Sequence, residues 1–231
     1  MIINDLVIET TRKCNMSCYH CLRGEPQKMM MKKEYIDSLL YQVDEIGSVC
    51  FTGGEPTLNL PIMEYFLKSV QDKNIMVNNF YIVTNGLKVT EEFVLFCLKM
   101  YSYCDDKEQC SVQVSNDYPH QIEGEYNIEL LDGLKFFSKK FEKDNYNYGR
   151  DSFLKPEGRA KKIGGGVNIV PDLNNLDEDD LSEITYYLNC KGEIINGCDW
   201  SYESQSKNKI CDVGKLSEFY YNIKNQFEEV E

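Results

Sequence analysis

LVIETTRKCNMSCYHC, residues 6–21, runs from an apolar stretch straight into cysteines at 14, 18 and 21, with a histidine at 20. Leu6 to Glu9 reads as a short buried strand, and the cysteines as a loop at its carboxyl end. Thiols so closely set admit a disulfide, a structural zinc site or an iron–sulfur cluster. Zinc could draw on Cys14, Cys18, Cys21 and His20. Adjacent His20 and Cys21 would struggle to face one ion, however, and no second ligand pair follows at zinc-finger spacing. Iron–sulfur clusters are usually held by four thiolates. Three thiolates in the spacing C-x3-C-x2-C can wrap one cube from a single loop and leave the fourth iron without a protein ligand. An open coordination position separates a catalytic metal site from a closed structural one.

Working outward, strand-like and helix-like stretches alternate. Residues 33–45 place Tyr35, Ile36, Leu39, Leu40 and Val43 at helical spacing. Ser48 to Phe51 reads as a second strand ending at Gly53 and Gly54, and a helix with Ile62, Phe66, Leu67 and Val70 on one face follows. Phe80 to Val83 is a third strand closed by the turn Thr84-Asn85-Gly86, residues 90–100 are helical, and Ser111 to Val114 make a fourth strand. This order implies parallel βα units, whose ligands bind at the carboxyl ends of the strands. After Asp117 the pattern blurs, with a helix expected near 128–142. Too little chain remains for eight units, so the expected fold is α/β, a partial (βα)6-type barrel with a small C-terminal α+β extension. The division falls at 1–160 and 161–231. The extension should hold a short strand after Gly166, a helix near 178–188, a cysteine-bearing turn region at 190–211 and a closing helix carrying Leu216, Phe219, Tyr220, Ile223 and Phe227.

Acidic residues outnumber basic ones by 38 to 25, for a formal net charge of -13, which argues against nonspecific binding to nucleic acid or an anionic membrane. The run Asp177, Glu178, Asp179, Asp180 reads as a solvated helix start. No stretch approaches the roughly 18 apolar residues of a membrane span, and the first residues do not resemble a signal peptide, so a cytoplasmic setting is expected. Ten cysteines in a reducing compartment are more often metal ligands or buried small side chains than disulfides. Cys50 and Cys97 sit in apolar runs and read as core; Cys104 and Cys110 carry no assignment.

TRKCNMSCYHC (11–21), FTGGEP (51–56), IVTNG (82–86) and VSND (114–117), in that order and each at a strand end, resemble the radical S-adenosylmethionine (SAM) enzymes. The resemblance spans residues 6–117. It implies that Cys14, Cys18 and Cys21 hold a 4Fe–4S cluster, with His20 as the usual aromatic residue before the last cysteine. It also implies that the backbone of Gly53 and Gly54 accepts hydrogen bonds from the SAM amino group, with Glu55 and Pro56 shaping the turn. Glycine there would let the backbone approach the ligand closely. Thr84 and Ser115 would lie at the SAM ribose, with Asn85 and Asp117 nearby; strand-end capping is the plainer reading of Thr84 and Ser115. In this family an external donor of flavodoxin or ferredoxin type reduces the cluster. SAM is then cleaved to methionine and a 5′-deoxyadenosyl radical, which takes a hydrogen atom from the substrate.

EGRAK (157–161), LNCKGEIINGC (188–198) and ICDVGKL (210–216) are more loosely similar to the tail of radical SAM maturases, where Gly-Arg-Ala precedes a SPASM or shorter twitch module holding auxiliary clusters. A full SPASM module needs seven cysteines, and only Cys190, Cys198 and Cys211 lie here. At most one auxiliary cluster fits, completed by a substrate or non-cysteine ligand or by Cys104 or Cys110; the alternative is a degenerate module with buried thiols. The implied function is a maturase that modifies a peptide or protein. An activase installing a glycyl radical on a partner enzyme, or a non-catalytic iron–sulfur or zinc protein, are the other readings. Tyr118, His120 and Tyr148 are conceivable pocket residues, though a surface or packing role suits each better.

Overall fold

The computed structural model of the chain describes residues 1–115, 128–139, 155–163 and 184–228. Strands β1 (Ile2–Thr11), β2 (Glu45–Gly53), β3 (Met76–Thr84), β4 (Ser111–Val114), β5 (Phe137–Lys139), β6 (Thr185–Leu188), β7 (Glu193–Asn196) and β8 (Lys209–Asp212) form one sheet in the order β5-β4-β3-β2-β1-β6-β7-β8. The first six are parallel, and β7 and β8 are antiparallel additions. Helices α1 (Lys33–Leu40), α2 (Leu60–Lys73) and α3 (Glu91–Tyr103) connect the first four strands, and α4 (Leu216–Glu228) follows β8. Among the described residues the end strands β5 and β8 do not pair with each other, and the sheet is that of a partial, open barrel.

The centre of the sheet follows from the sequence of β1. Leu6 through Thr11 are all buried, as a strand between two parallel neighbours with both faces covered must be. Leu6 and Ile8 join the main core with Ile36, Leu39, Phe66 and Phe96, whereas Val7 joins Tyr187 and Ile195 on the other face. Phe51 meets Phe66 and Phe96 edge-on, with ring centroids 5.3 and 5.8 Å apart. Full burial of each such side chain contributes roughly 1.5–3 kcal/mol. Among the described residues no helix is long and apolar enough to cross a membrane.

Several expectations are corrected. Over 128–139, the described part of the helix expected near 128–142, the chain instead forms a set of turns leading into β5. Asp132-Gly133 is a turn-forming pair with Gly133 at φ +94°, and it delivers Phe136 to the core. The end of the helix expected near 178–188 is β6, because Thr185, Tyr186 and Tyr187 are β-favouring residues and the latter two are buried beside β1. The turn region at 190–211 contains β7 and β8. Cys97 is fully buried, but Cys50 is half-buried and packs against Val7, Tyr187 and Ile195, because its strand parity turns it away from the helices. Cys104 and Cys110 are both buried where α3 leads into the amino end of β4, and the Cys110 thiol donates to Asp106 O (3.3 Å). Asp117, Tyr118, His120, Tyr148, the strand after Gly166 and the acidic run at 177–180 lie outside the described residues.

Candidate active site

The carboxyl ends of β1 to β4 surround a cavity of about 410 Å³. The loop after β1 supplies one wall. It leaves at Arg12 and returns alongside, with Arg12 N–H donating to Met29 O (2.9 Å), Gln27 N–H to Arg12 O (2.9 Å) and Met31 N–H to Thr10 O (3.0 Å). These bonds force residues 13–26 into a compact excursion that brings Cys14, Cys18 and Cys21 to the cavity. Cys18 is buried, while Cys14 and Cys21 are half-buried. Burial pushes the Cys14 thiol up, and the nearby Glu55 carboxylate adds to that.

The Gly-Gly-Glu-Pro turn supplies the opposite wall. Gly54 N–H donates to Thr11 O (2.7 Å) and Glu55 N–H to Lys13 O (2.9 Å), so the β1–β2 pairing continues into the cysteine loop. A Cβ on Gly53 would stand 2.2 Å from Thr11 O, and one on Gly54 2.3 Å from Lys13 O. Both glycines line the cavity, and what a side chain on either would strike within the protein is the base of the cysteine loop.

Glu55 ties this turn to the end of β3. Its Oε1 accepts from Thr57 N–H (3.1 Å), Thr57 Oγ1 (2.7 Å) and Thr84 Oγ1 (2.6 Å), and its Oε2 accepts from Asn85 N–H (2.8 Å). Burial nonetheless outweighs these donors and holds its carboxyl above the ordinary value. Thr84 Oγ1 also accepts from Gly86 N–H (3.1 Å), which is a strand-end capping arrangement. Asn85 reaches into the cysteine loop: its Nδ2 donates to Asn15 Oδ1 (2.8 Å) and stands 4.0 Å from Cys14 Sγ. Ser115 N–H donates to Thr84 O (2.9 Å).

All the anticipated amino-terminal site residues except Asp117 therefore border one cavity: the three cysteines, His20, Gly53 to Pro56, Thr84, Asn85 and Ser115. Three thiols around a space of this size suit a multi-iron group together with a small organic ligand. Among the described residues no three His, Cys, Asp or Glu side chains converge on a single metal-ion position. Cys190, Cys198 and Cys211 lie apart from the cavity wall. Cys190 donates its thiol to Glu9 O (3.1 Å), Cys198 packs against Val7, Tyr187 and Ile195, and Cys211 pairs with Ile194 across the sheet.

Two groups of residues were not anticipated. Arg23, Lys155, Arg159 and Asp199 complete the cavity wall. Beneath the loop, Glu9 and Arg12 are both buried and bonded (Nε to Oε1, 2.6 Å). Glu9 Oε2 accepts from Tyr187 OH (2.8 Å) and Gln205 Nε2 (2.9 Å), and Glu9 Oε1 accepts from Cys190 N–H (3.0 Å). Arg12 also donates to Gln27 and Gln205 and lies 4.5 Å from the centre of the Tyr202 ring. Charged residues within an apolar strand were the available signal; their partners, far away in sequence, were not.

The sequence profile of the Radical SAM superfamily matches residues 8–151. Enolase from Picrophilus torridus is 24% identical over 180 residues, covering 70% of this chain and 44% of that protein. Uncharacterized protein MJ0907 from Methanocaldococcus jannaschii is 30% identical over 92 residues, covering 38% of this chain and 32% of that one. The chain thus spans less than half the length of the curated relatives it matches. Among solved structures, hexahistidine-tagged anSMEcpe with bound AdoMet shares 18% identity at a TM-score of 0.59, covering 99% of this chain and 82% of its own. Native anSMEcpe with bound AdoMet and a Cp18Cys peptide shares 16% at 0.50 with the same coverage. Likeness at these identities shows the fold alone.

Proposed function

This chain belongs to the radical SAM superfamily, and on that premise we propose that it is a maturase acting on a peptide or protein. Family membership implies a 4Fe–4S cluster and SAM, which together supply a radical able to abstract hydrogen from an unactivated carbon. The observation that carries the reading is the single cavity onto which the three cysteines, the Gly-Gly-Glu-Pro turn and the Thr-Asn strand end converge.

In this proposal Cys14, Cys18 and Cys21 hold the cluster, beside His20. The backbone of Gly53 and Gly54 receives the SAM amino group, and Pro56 fixes the exit of the turn. Thr84, Asn85 and Ser115 flank the ribose, as does Asp117 from outside the described residues. Residues 1–160 form the catalytic core and 161–231 the extension. Peptide as the substrate class draws support from the Gly-Arg-Ala tail and from the peptide bound in the anSMEcpe structure. The setting is cytoplasmic, with a flavodoxin or ferredoxin as electron donor.

The test is anaerobic: protein reconstituted with iron and sulfide, reduced with dithionite and given SAM. Formation of 5′-deoxyadenosine and methionine is expected. A brown, cluster-loaded protein that releases neither would overturn the proposal.

A further inference from the structure

A loop that presents three thiolates to one cluster must keep their spacing fixed. Within it, Cys21 N–H donates to Cys18 O at 3.2 Å and Gly24 N–H to Cys21 O at 3.4 Å, both long. The same two carbonyls have a second partner far along the chain. Arg159 Nε donates to Cys18 O at 2.8 Å, and Arg159 N–H donates to Cys21 O at 2.9 Å.

Gly158 makes that approach feasible. It sits at φ +53°, and a Cβ there would lie 2.3 Å from Leu22 O and 2.4 Å from Gly24 N. Ala160, the third residue of the Gly-Arg-Ala stretch, is fully buried. Arg159 is steadied from outside by Glu25 (3.2 Å), and its side chain borders the cavity that the thiols surround.

We propose that Gly158 and Arg159 form a clamp that fixes the shape of the cysteine loop and sets a positive charge beside the cluster; this rests on the reading of residues 14–21 as the cluster loop. Arg159 is a positioning residue here, acting through the carbonyls of two ligand-bearing residues. Its charge has a second consequence. A cation at the cavity wall favours the reduced, more negative cluster, because charge interactions are weakly screened away from water.

The two parts are separated by Gly158→Ala, Arg159→Gln and Arg159→Lys. In the metal-free protein, the rate at which iodoacetamide alkylates Cys18 is read by mass spectrometry against Cys14 and Cys21. Loss of a charge-assisted hydrogen bond and of the tight fit should speed alkylation of buried Cys18 about tenfold in G158A and R159Q, with partial recovery in R159K. Circular dichroism and thermal unfolding show whether each variant folds. If G158A does not fold, the Arg159 pair still decides.

In the reconstituted protein the cluster midpoint potential is then measured. R159Q should shift the oxidised-to-reduced ratio at fixed poise about tenfold toward the oxidised form, 59 mV for one electron, while R159K and G158A stay near wild type. A Cys18 rate unchanged in R159Q would overturn the clamp. A potential unchanged in R159Q, or moved equally in R159K, would overturn the electrostatic part. Failure of the wild type to take up iron would instead count against the cluster reading, since the alkylation assay needs no metal.

Discussion

Glu9→Gln is expected to destabilise the protein by about 3–5 kcal/mol, lowering the thermal midpoint by roughly 6–20 °C. Both members of the Glu9–Arg12 pair have almost no exposed surface. Removing one charge leaves the other uncompensated in the interior, which costs far more than the pair itself is worth. The Gln amide would also present a donor where Tyr187 OH and Gln205 Nε2 both donate. The pair joins the start of the cysteine loop to β6 and to the connecting segments at Cys190, Tyr202 and Gln205, so its loss should loosen both. In a double-mutant cycle, Glu9→Gln with Arg12→Met should cost less than the two single changes added together.

The pH dependence follows the same geometry. Burial alone would raise the Glu9 carboxyl, but the Arg12 guanidinium and the donated hydrogen bonds outweigh it and hold the group below its ordinary 4.5. A depressed carboxyl contributes stability that is complete above the ordinary range and lost as pH falls through its folded value. Glu9→Gln should therefore flatten the acid side of the stability curve. A change under 1 kcal/mol in urea unfolding, with the acid limb unaltered, would show that the pair does not anchor the fold.

Glu55→Ala should have a comparable effect through a different cause. It orphans the buried N–H groups of Thr57 and Asn85, at about 1–3 kcal/mol each, and frees the Thr84 hydroxyl. Because Glu55 links the Gly-Gly turn to the Thr-Asn strand end through one carboxylate, the SAM-dependent rise in thermal midpoint should vanish as well. Glu55→Gln keeps one acceptor oxygen and opposes only one N–H, so it should cost about half as much. Its pH behaviour is opposite to that of Glu9. Burial raises the Glu55 carboxyl, so its contribution is fully present below 4.5 and lost as pH rises through its folded value. Glu55→Gln should remove that loss on the alkaline side. Unfolding equal to wild type, with the SAM-dependent shift intact, would show that the two turns hold their places without it.

How far the site could be read from sequence depended on the distance between partners. Ser111–Val114 was legible because a four-residue apolar alternation between turns admits little else. The anticipated cavity residues were legible because each lies at the carboxyl end of a strand or in the loop that follows it, and parallel strands bring those ends together. Residues 128–142 misled because apolar spacing over so short a stretch suits helix and strand alike, and the Asp132-Gly133 turn decides it only once Phe136 finds the core. Thr185–Leu188 became a strand because β1 offered an open edge. The Glu9 cluster joins residues 178 to 196 positions apart, and the Arg159 contact spans 141, separations at which no local pattern operates. The second constraint on Gly53 and Gly54 was out of sight for a related reason: what a Cβ would strike is the backbone of another strand's loop.

The most direct measurement is iron and acid-labile sulfide in anaerobically reconstituted wild type and in the Cys14/Cys18/Cys21 triple alanine variant. The account predicts about four irons and four sulfides lost between the two. Iron remaining in the triple variant would report a second iron site elsewhere in the chain. Equal iron in both proteins, or a single zinc ion and no sulfide in the wild type, would contradict it.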